Sequence, residues 1–195
     1  RGARRGRGYL MSGNVSGSGG EVFRPAAPEE SDSLYRLIQL RVDWLEEHRI
    51  AQWQRDYYLN LFPRSFFRQK AEEGRLYGIW SADGAAIATA VLLERDEEVW
   101  PDGERAIYVH NLAAHPAFPG AGLRLLVQAM DLARSKGMKH LRLDTLQSNG
   151  ALQAYYKRLG FVQMGTVEAE GYSGYLFQCP CDPGLRLEDA DRKKV

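Results

Sequence analysis

A glycine loop, Pro119-Gly120-Ala121-Gly122, separates a predicted strand from a predicted helix. Glycine at such a junction lets backbone N–H groups approach a phosphate closely, and the N-terminus of the following helix adds a favourable dipole. The same pair of glycines can also serve only to close a tight connection. The loop alone therefore indicates two alternatives, a phosphate site and an ordinary turn.

Two other kinds of nucleotide loop are excluded by the neighbouring residues. A dinucleotide fingerprint requires a third glycine where this chain has Leu125, and here residues 115–119 separate the loop from its strand. A P-loop requires Lys and then Ser or Thr after its last glycine, where the chain has Leu123-Arg124. Both alternatives fail on residue type.

A second cluster runs from Asn149 through Tyr155-Tyr156 to Gly160. The spacing of its apolar residues predicts an amphipathic helix that Asn149 caps and Gly160 ends. Tyrosines on the apolar face of a helix usually pack in a core. The sequence leaves open whether one of these hydroxyl groups also contacts a ligand.

Alternating strands and helices position the two clusters. Helices are predicted over residues 31–48, 64–73, 123–136 and 151–159, and strands over 22–24, 76–80, 85–93, 106–114, 141–145, 161–168 and 172–179. The order predicts an α+β domain with antiparallel strands first and a βαβ-like unit in the middle.

Composition predicts one compact domain between two polar ends. Among 195 residues, 26 Lys and Arg nearly balance 25 Asp and Glu, which excludes a dedicated polyanion binder and a disordered solvating chain. Residues 1–20 contain seven glycines and four arginines and are expected to be a disordered tail, with an RNA-binding arm as the alternative. We expect a single domain over residues 21–181 and a charged, solvated tail over 182–195.

Residues 106–123 form the longest stretch without Asp, Glu, Lys or Arg, and their two histidines and two prolines exclude a membrane helix. Cys179 and Cys181 are too close for an ordinary disulfide and too few for zinc. We therefore expect a cytoplasmic protein with no metal, no membrane association and no nucleic-acid partner.

Together the two clusters resemble the GNAT superfamily of acyl-CoA-dependent N-acetyltransferases. The stretch YVHNLAAHPAFPGAGLRLL resembles the family's strand, pyrophosphate loop and helix, and RLDTLQSNGALQAYYKRLGF resembles its next strand and Asn…Tyr helix. The resemblance extends from about Val22 to Cys179. It implies a mixed, mostly antiparallel twisted sheet flanked by helices, with a V-shaped opening between strands 106–114 and 141–145.

The resemblance also implies where acetyl-CoA, the acyl donor, binds. Its pantetheine arm is expected to pair with the backbone at Leu112-Ala113-Ala114, and its pyrophosphate to accept N–H groups from the loop. The predicted loop residues are Gly120, Ala121, Gly122, Leu123, Arg124 and Leu125. Asn149 matches the family residue that contacts the pantetheine arm, and Tyr156 matches the tyrosine near the thioester sulfur.

The loop departs from the family pattern at two positions. Pro119 replaces an Arg or Gln and has no N–H to donate, and Arg124 replaces a Gly or Ala. Arg124 either crowds the pyrophosphate or donates a charged hydrogen bond to it, and we favour the second. These departures keep open a non-catalytic CoA-binding sensor.

An amine attacks a thioester only when it is neutral, so a base or a water wire beside the acceptor is expected to assist the transfer. His110 is the first candidate because it lies in the strand beside the expected thioester, although a buried structural histidine is the alternative. Glu94 is the second candidate and Asp144 the third. A strand N–H near Leu112 is expected to hold the oxyanion, and Tyr156 to protonate the departing thiolate.

The resulting expectation is an N-acetyltransferase that acts on a primary amine of a small molecule, by direct attack within a ternary complex. Acetylation of a protein N-terminus or lysine is the enzymatic alternative, and the sensor is the non-enzymatic one. An open groove favours a protein acceptor, whereas a closed aromatic pocket favours a small amine. The sequence is compatible with a monomer and with a homodimer.

Overall fold

The computed structural model describes Val15–Ser16, residues 20–50 and residues 52–192. The strands are β1 (Val15–Ser16), β2 (Val22–Pro25), β3 (Leu76–Trp80), β4 (Ala86–Leu93), β5 (Ala106–Ala114), β6 (His140–Leu146), β7 (Val162–Ala169) and β8 (Tyr172–Pro180). The helices are α1 (Ser31–Glu47), α2 (Arg55–Leu61), α3 (Arg64–Glu72), α4 (Ala121–Ser135), α5 (Gly150–Arg158) and α6 (Leu187–Arg192). Within these residues, no helix is both long and apolar enough to cross a bilayer.

All eight strands belong to one sheet, in the order β1-β2-β3-β4-β5-β6-β8-β7. Every neighbouring pair is antiparallel except β5 and β6, which are parallel. These two strands pair only from Ala106 with His140 to Tyr108 with Arg142. Both strands continue past this point without pairing to each other in the described residues, and the predicted V-shaped opening is confirmed.

A β-bulge in β5 lies where the two strands separate. Thr89 and Val91 of β4 pair with Ala113 and His110 of β5, so β5 has one residue more than β4 between these pairs. Asn111, within the bulge, has a φ of 52°, in the left-handed region that asparagine tolerates better than most residues. Because a bulge bends its strand, it accounts for the divergence of β5 from β6.

Helices cover both faces of the sheet. On the α4 face, α4 and α5 pack over the main core, which includes Leu125 and Phe177. On the α1 face, α1, α2 and α3 pack over a second core, which includes Ile38 and Phe67. The opening between β5 and β6 therefore has helices on both sides.

Two segments differ from the sequence prediction. Helix α2 forms within an aromatic segment that the apolar pattern left between two helices. The segment after residue 182, predicted to be solvated, packs against α4: Leu187 is 2% exposed, and Arg134 donates to the carbonyl oxygens of Asp182 and Leu185 at 2.8 and 2.6 Å. One buried leucine and two backbone carbonyls are enough to hold an otherwise charged segment. Of the predicted disordered tail over residues 1–20, only Val15–Ser16 and Gly20 lie within the described residues, and Val15–Ser16 forms β1, which pairs with β2 instead of being disordered.

A buried arginine anchors the β4–β5 loop (residues 94–105). Arg142, whose side chain is 2% exposed, donates to both carboxylate oxygens of Asp102 at 2.8 and 2.7 Å and to Gln178 at 2.9 Å. The Trp100 ring covers the guanidinium, with Cζ 4.2 Å from the ring centroid. The hydrogen bonds from Arg142 lower the pKa of Asp102 to about 2. The Arg142–Asp102 ion pair and the stacked Trp100 ring thus hold the loop on β6.

Asp102→Ala is predicted to destabilise the fold by about 2 kcal/mol. Removing one partner of a fully buried ion pair costs about 3–5 kcal/mol, because the remaining charge stays desolvated. The Asp102 side chain is 47% exposed, so water replaces part of the lost interaction and the cost is smaller. Denaturant-induced unfolding measures the change in free energy.

Asp131→Ala is the matched control for this prediction. The Asp131 side chain is also 47% exposed, but its partner Arg134 is 25% exposed. Loss of such a surface pair costs less than about 1 kcal/mol. Equal losses of stability in the two variants would show that Arg142 does not depend on Asp102.

Candidate active site

The open end of the V brings the predicted strand and loop residues together. The side chains of Leu112 and Ala114 pack toward the main core, whereas Ala113 is buried in the second core. Helix α4 begins directly beside the end of β5, since a Cβ added to Gly122 would lie 3.8 Å from the Ala114 Cβ. A ligand in the opening can therefore contact both elements.

The first turn of α4 offers fewer free N–H groups than the sequence predicts. Gly120 precedes the helix with a φ of 76°, which favours glycine. The Ala121 N–H donates within the preceding turn at 3.1 Å, and the Arg124 N–H donates to the Gly120 carbonyl at 3.0 Å. The N–H groups of Gly122 and Leu123 have no carbonyl partner within the helix. These two groups and the helix dipole make this end of α4 suitable for an anion.

The Arg124 side chain is engaged by a carboxylate. Its guanidinium donates to both Glu21 oxygens at 2.9 and 3.1 Å and to the Pro119 carbonyl at 3.1 Å. A pyrophosphate that binds Arg124 would have to compete with Glu21. The last predicted loop residue, Leu125, is fully buried in the main core.

Asn149 has the capping role that the helix pattern predicts. Its Oδ1 accepts the Leu152 N–H at 3.1 Å, and its Nδ2 donates to Gln52 Oε1 at 2.7 Å. Both polar groups of the side chain therefore have partners. A contact with a pantetheine arm would require Nδ2 to exchange Gln52 for the ligand.

Tyr156 lies on α5 within the main core, with its ring centroid 5.5 Å from that of Phe161. Burial is the main reason that the pKa of Tyr156 is raised; the charges of Tyr155 and Asp144 add to the effect, and Arg41 opposes it. The hydroxyl therefore keeps its proton at neutral pH. The hydroxyl also interacts electrostatically with the anionic side chain of Asp144 and with the cationic side chain of Arg41.

His110 is held between two carboxylates. Its Nε2 lies 2.8 Å from Asp96 Oδ2, and its Nδ1 lies 4.0 Å from Asp144 Oδ1, across the separation between β5 and β6. Burial lowers the pKa of His110, but the hydrogen bond to Asp96 and the charges of Asp144 and Asp96 outweigh burial and raise it. With Nε2–H donating to Asp96, the lone pair of Nδ1 faces Asp144. Neither this cluster nor another group of described His, Cys, Asp and Glu residues is arranged to hold a metal ion.

Glu94 does not join this cluster. Its carboxylate lies 2.8 Å from Lys136 Nζ and is more than half exposed. The preceding residue, Leu93, pairs with Tyr108, the last β5 residue that still pairs with β6. Glu94 is therefore at the closed end of the V.

Three residues of the site were not predicted from the sequence: Asp96, Tyr172 and Asn111. Tyr172 donates a hydrogen bond to Asp144. Asn111 Nδ2 donates to Tyr58 Oη at 2.7 Å, while its Oδ1 is buried with no partner in the described residues. Asp96 belongs to a run of charged residues that is typical of a solvated turn, so only its position next to His110 identifies it.

The segment from Gln52 to Phe62, here the α2 segment, covers the opening on the α1 face. Tyr58 and Gln52 contact β5 and α5 through the hydrogen bonds described above. The Tyr57 hydroxyl donates to the Glu170 carbonyl in the β7–β8 turn at 2.6 Å. The segment is thus attached to both sides of the V.

Comparison with known proteins agrees with this architecture. The model of the acetyltransferase (GNAT) family matches residues 37–161. An uncharacterized N-acetyltransferase of Bacillus subtilis, YesJ, is 30% identical over 162 residues, which cover 79% of this chain and 87% of YesJ. A GNAT-family acetyltransferase structure from Listeria monocytogenes has a TM-score of 0.71 and 25% identity, covering 86% of this chain and 99% of that chain. The PaiA N-acetyltransferase of Thermoplasma acidophilum, solved with coenzyme A, has a TM-score of 0.65 and 14% identity, covering 82% and 98%. The family match, supported by the YesJ alignment, shows that this chain belongs to the GNAT family of acetyltransferases.

Proposed function

We propose that this chain transfers an acetyl group from acetyl-CoA to a primary amine of a small molecule, by direct attack within a ternary complex. The observation that carries the proposal is His110, held between Asp96 and Asp144 where β5 and β6 separate. An imidazole in this position can take a proton from an amine that lies in the opening. The coenzyme A complex of PaiA, which shares the fold, supports acetyl-CoA as the donor.

Acetyl-CoA supplies the acyl group in activated form, as a thioester. The chain offers polar groups that suit it. The β5 edge at Leu112 and Ala114 has no strand pairing toward β6, so its backbone groups need other partners. The N–H groups of Gly122 and Leu123 suit the pyrophosphate. Thr145 Oγ1, on β6, is buried without a partner in the part of the chain that the structure describes.

The acceptor amine has to lose a proton before it attacks. For an amine of pKa about 10.4, this costs about 4.6 kcal/mol at pH 7. The 4.0 Å between His110 Nδ1 and Asp144 Oδ1 admits a nitrogen hydrogen-bonded to both atoms. In our proposal Asp144 binds the ammonium, His110 Nδ1 takes its proton, and Asp96 stabilises the resulting imidazolium. Glu94 has no part in this step.

Tyr156 is proposed to act on the departing sulfur. A thiol has a pKa near 8.5 and a phenol near 10, so full proton transfer from the phenol costs about 2 kcal/mol or more. Burial of Tyr156 raises its pKa and increases that cost. We therefore assign to Tyr156 a hydrogen bond that stabilises negative charge as it develops on the sulfur. Tyr156 keeps its own proton, and the released thiolate takes a proton from solvent.

The covered α1 face supports a small acceptor over a protein. The α2 segment is attached to β5, to α5 and to the β7–β8 turn by three hydrogen bonds. A polypeptide acceptor needs an open groove through this region. A small amine does not need such a groove.

Thiol release from acetyl-CoA, measured with a panel of primary amines between about pH 5 and pH 9, tests the proposed function. We expect kcat/KM to fall on the acid side with an apparent pKa above 6.5, because the two carboxylates stabilise protonated His110. Asp96→Asn should move this acid limb of the pH profile to lower pH, because the substitution removes one of the two carboxylates that stabilise protonated His110.

Glu97→Gln is the control for Asp96→Asn, because Glu97 is an exposed residue of the same loop. It should leave the acid limb in place. An acid limb that Asp96→Asn does not move would assign the titration to another group. No thiol release with any amine would remove the transferase proposal itself.

Tyr156→Phe is predicted to lower kcat about 100-fold, because it removes one donor to the developing charge. The dissociation constant of acetyl-CoA should change less than about threefold, since the ring remains in the core. Tyr155→Phe, a change of the same size on the same helix, should lower kcat much less. A normal kcat in Tyr156→Phe would place the donor elsewhere.

Glu21→Gln is predicted to tighten acetyl-CoA binding about threefold to tenfold. The substitution removes a carboxylate near the start of α4 and frees the Arg124 guanidinium for the pyrophosphate. Calorimetric titration measures the affinity, and Arg124→Gln in the Glu21→Gln background should reverse the gain. Unchanged affinity in Glu21→Gln would mean that Arg124 does not bind the donor.

A further inference from the structure

Two side chains of α1 and that of His48, which follows the helix, form a stack. The Arg41 guanidinium lies over the Trp44 ring, with Cζ 4.2 Å from the centroid. Trp44 in turn stacks on His48, with ring centroids 4.0 Å apart. Because these residues are three and four positions apart, they share one face of the helix. The stack holds the guanidinium in one place.

Arg41 is half-buried but has no counter-ion. In the residues that the structure describes, no Asp or Glu oxygen lies within 4.0 Å of it, and the neighbouring Asp43 pairs with Arg55. Burial lowers the pKa of Arg41. Burial acts on Arg142 as well, but its hydrogen bonds to Asp102 outweigh burial and raise the pKa. Arg41 is thus a half-buried cation for which the described residues supply no carboxylate partner.

Helix α1 packs over β5 in the second core, where Val42, the residue next to Arg41, and Ala113 are both buried. Arg41 therefore lies on the helix that covers a strand bordering the opening. Arg41 and Asp144 both interact electrostatically with Tyr156, with opposite signs. They do not pair with each other. The proposed reaction site therefore has a cationic group on α1 and an anionic group on β6, with the Tyr156 hydroxyl in range of both.

We propose that the acceptor is an amino-carboxylate, a small molecule that carries a carboxylate as well as the reacting amine. Its carboxylate binds the free edge of the Arg41 guanidinium, and its ammonium binds Asp144 and His110. This inference rests on the proposed function and names the substrate class of the same site. Arginine suits this role because its planar fork matches a carboxylate, and stacking on Trp44 limits the loss of side-chain entropy.

The test compares amino-carboxylates with the same molecules lacking the carboxylate. The panel contains the common α-amino acids and β-alanine, each beside its decarboxylated amine, such as phenylalanine beside phenethylamine. For the preferred pair, wild-type kcat/KM should be at least about tenfold higher for the carboxylate-bearing member, because a charged hydrogen bond is lost in the other. Calorimetry on the CoA-loaded full chain measures the binding of each acceptor directly.

Arg41→Gln should lower kcat/KM for the amino-carboxylate about tenfold to a hundredfold. For the matched amine it should change less than about threefold, so the preference within the pair disappears. Arg41→Lys keeps the positive charge but lacks the paired N–H donors of the guanidinium, so it should retain only part of the preference for the amino-carboxylate. Arg36→Gln, an exposed arginine on the same helix, is the matched control and should leave the preference intact.

The outcomes separate this inference from the proposed function. Equal transfer to both members of every pair would overturn the inference and leave the transferase in place. Arg41-dependent binding of an amino-carboxylate without thiol release would remove the transferase and keep the binding site. Absence of both binding and release for all pairs would overturn the inference. So would an Arg41→Gln variant that weakens acetyl-CoA binding, because Arg41 would then serve the donor.

Discussion

The separation of β5 from β6 is the constraint on which the rest of the structure depends. A parallel pair inside an otherwise antiparallel sheet continues only while the two strands run side by side, and here it stops after three residues. The bulge at Asn111 bends β5, and packed cores on both faces hold the separated edges in place. Backbone groups on those edges need partners. The fold itself thus leaves two strand edges in the middle of the sheet that do not pair with each other in the described residues.

Charge is distributed unevenly around this opening. On one side the start of α4 presents N–H groups, which suits an anionic donor. On the other side His110 lies between Asp96 and Asp144, which suits a cationic amine. Asp96 belongs to the loop that Arg142 holds through Asp102. The Arg142–Asp102 ion pair and the Asp96–His110 contact therefore depend on one loop.

Local patterns predicted the strands, the glycine loop and the Asn149 and Tyr156 helix well. Helices α1, α3, α4 and α5 each have apolar residues at helical spacing along the chain. Sequence periodicity therefore predicts these helices. Helix α2 and the packing of Leu187 lack such a pattern. Their stability comes from contacts with distant elements, such as the Tyr57 hydrogen bond to Glu170. Sequence periodicity cannot show contacts of this kind.

By itself the sequence determined the order of elements, the family resemblance and two clusters that border the opening, because each of these is encoded by residues close together in the chain. Only the tertiary structure decided which partners those residues contact. It paired Arg124 with Glu21, gave Asn149 a partner in Gln52, placed Glu94 at the closed end of the V and brought Asp96 to His110. Each of these outcomes depends on strand pairing and loop anchoring between distant parts of the chain, and no local spacing records which distant side chains will meet.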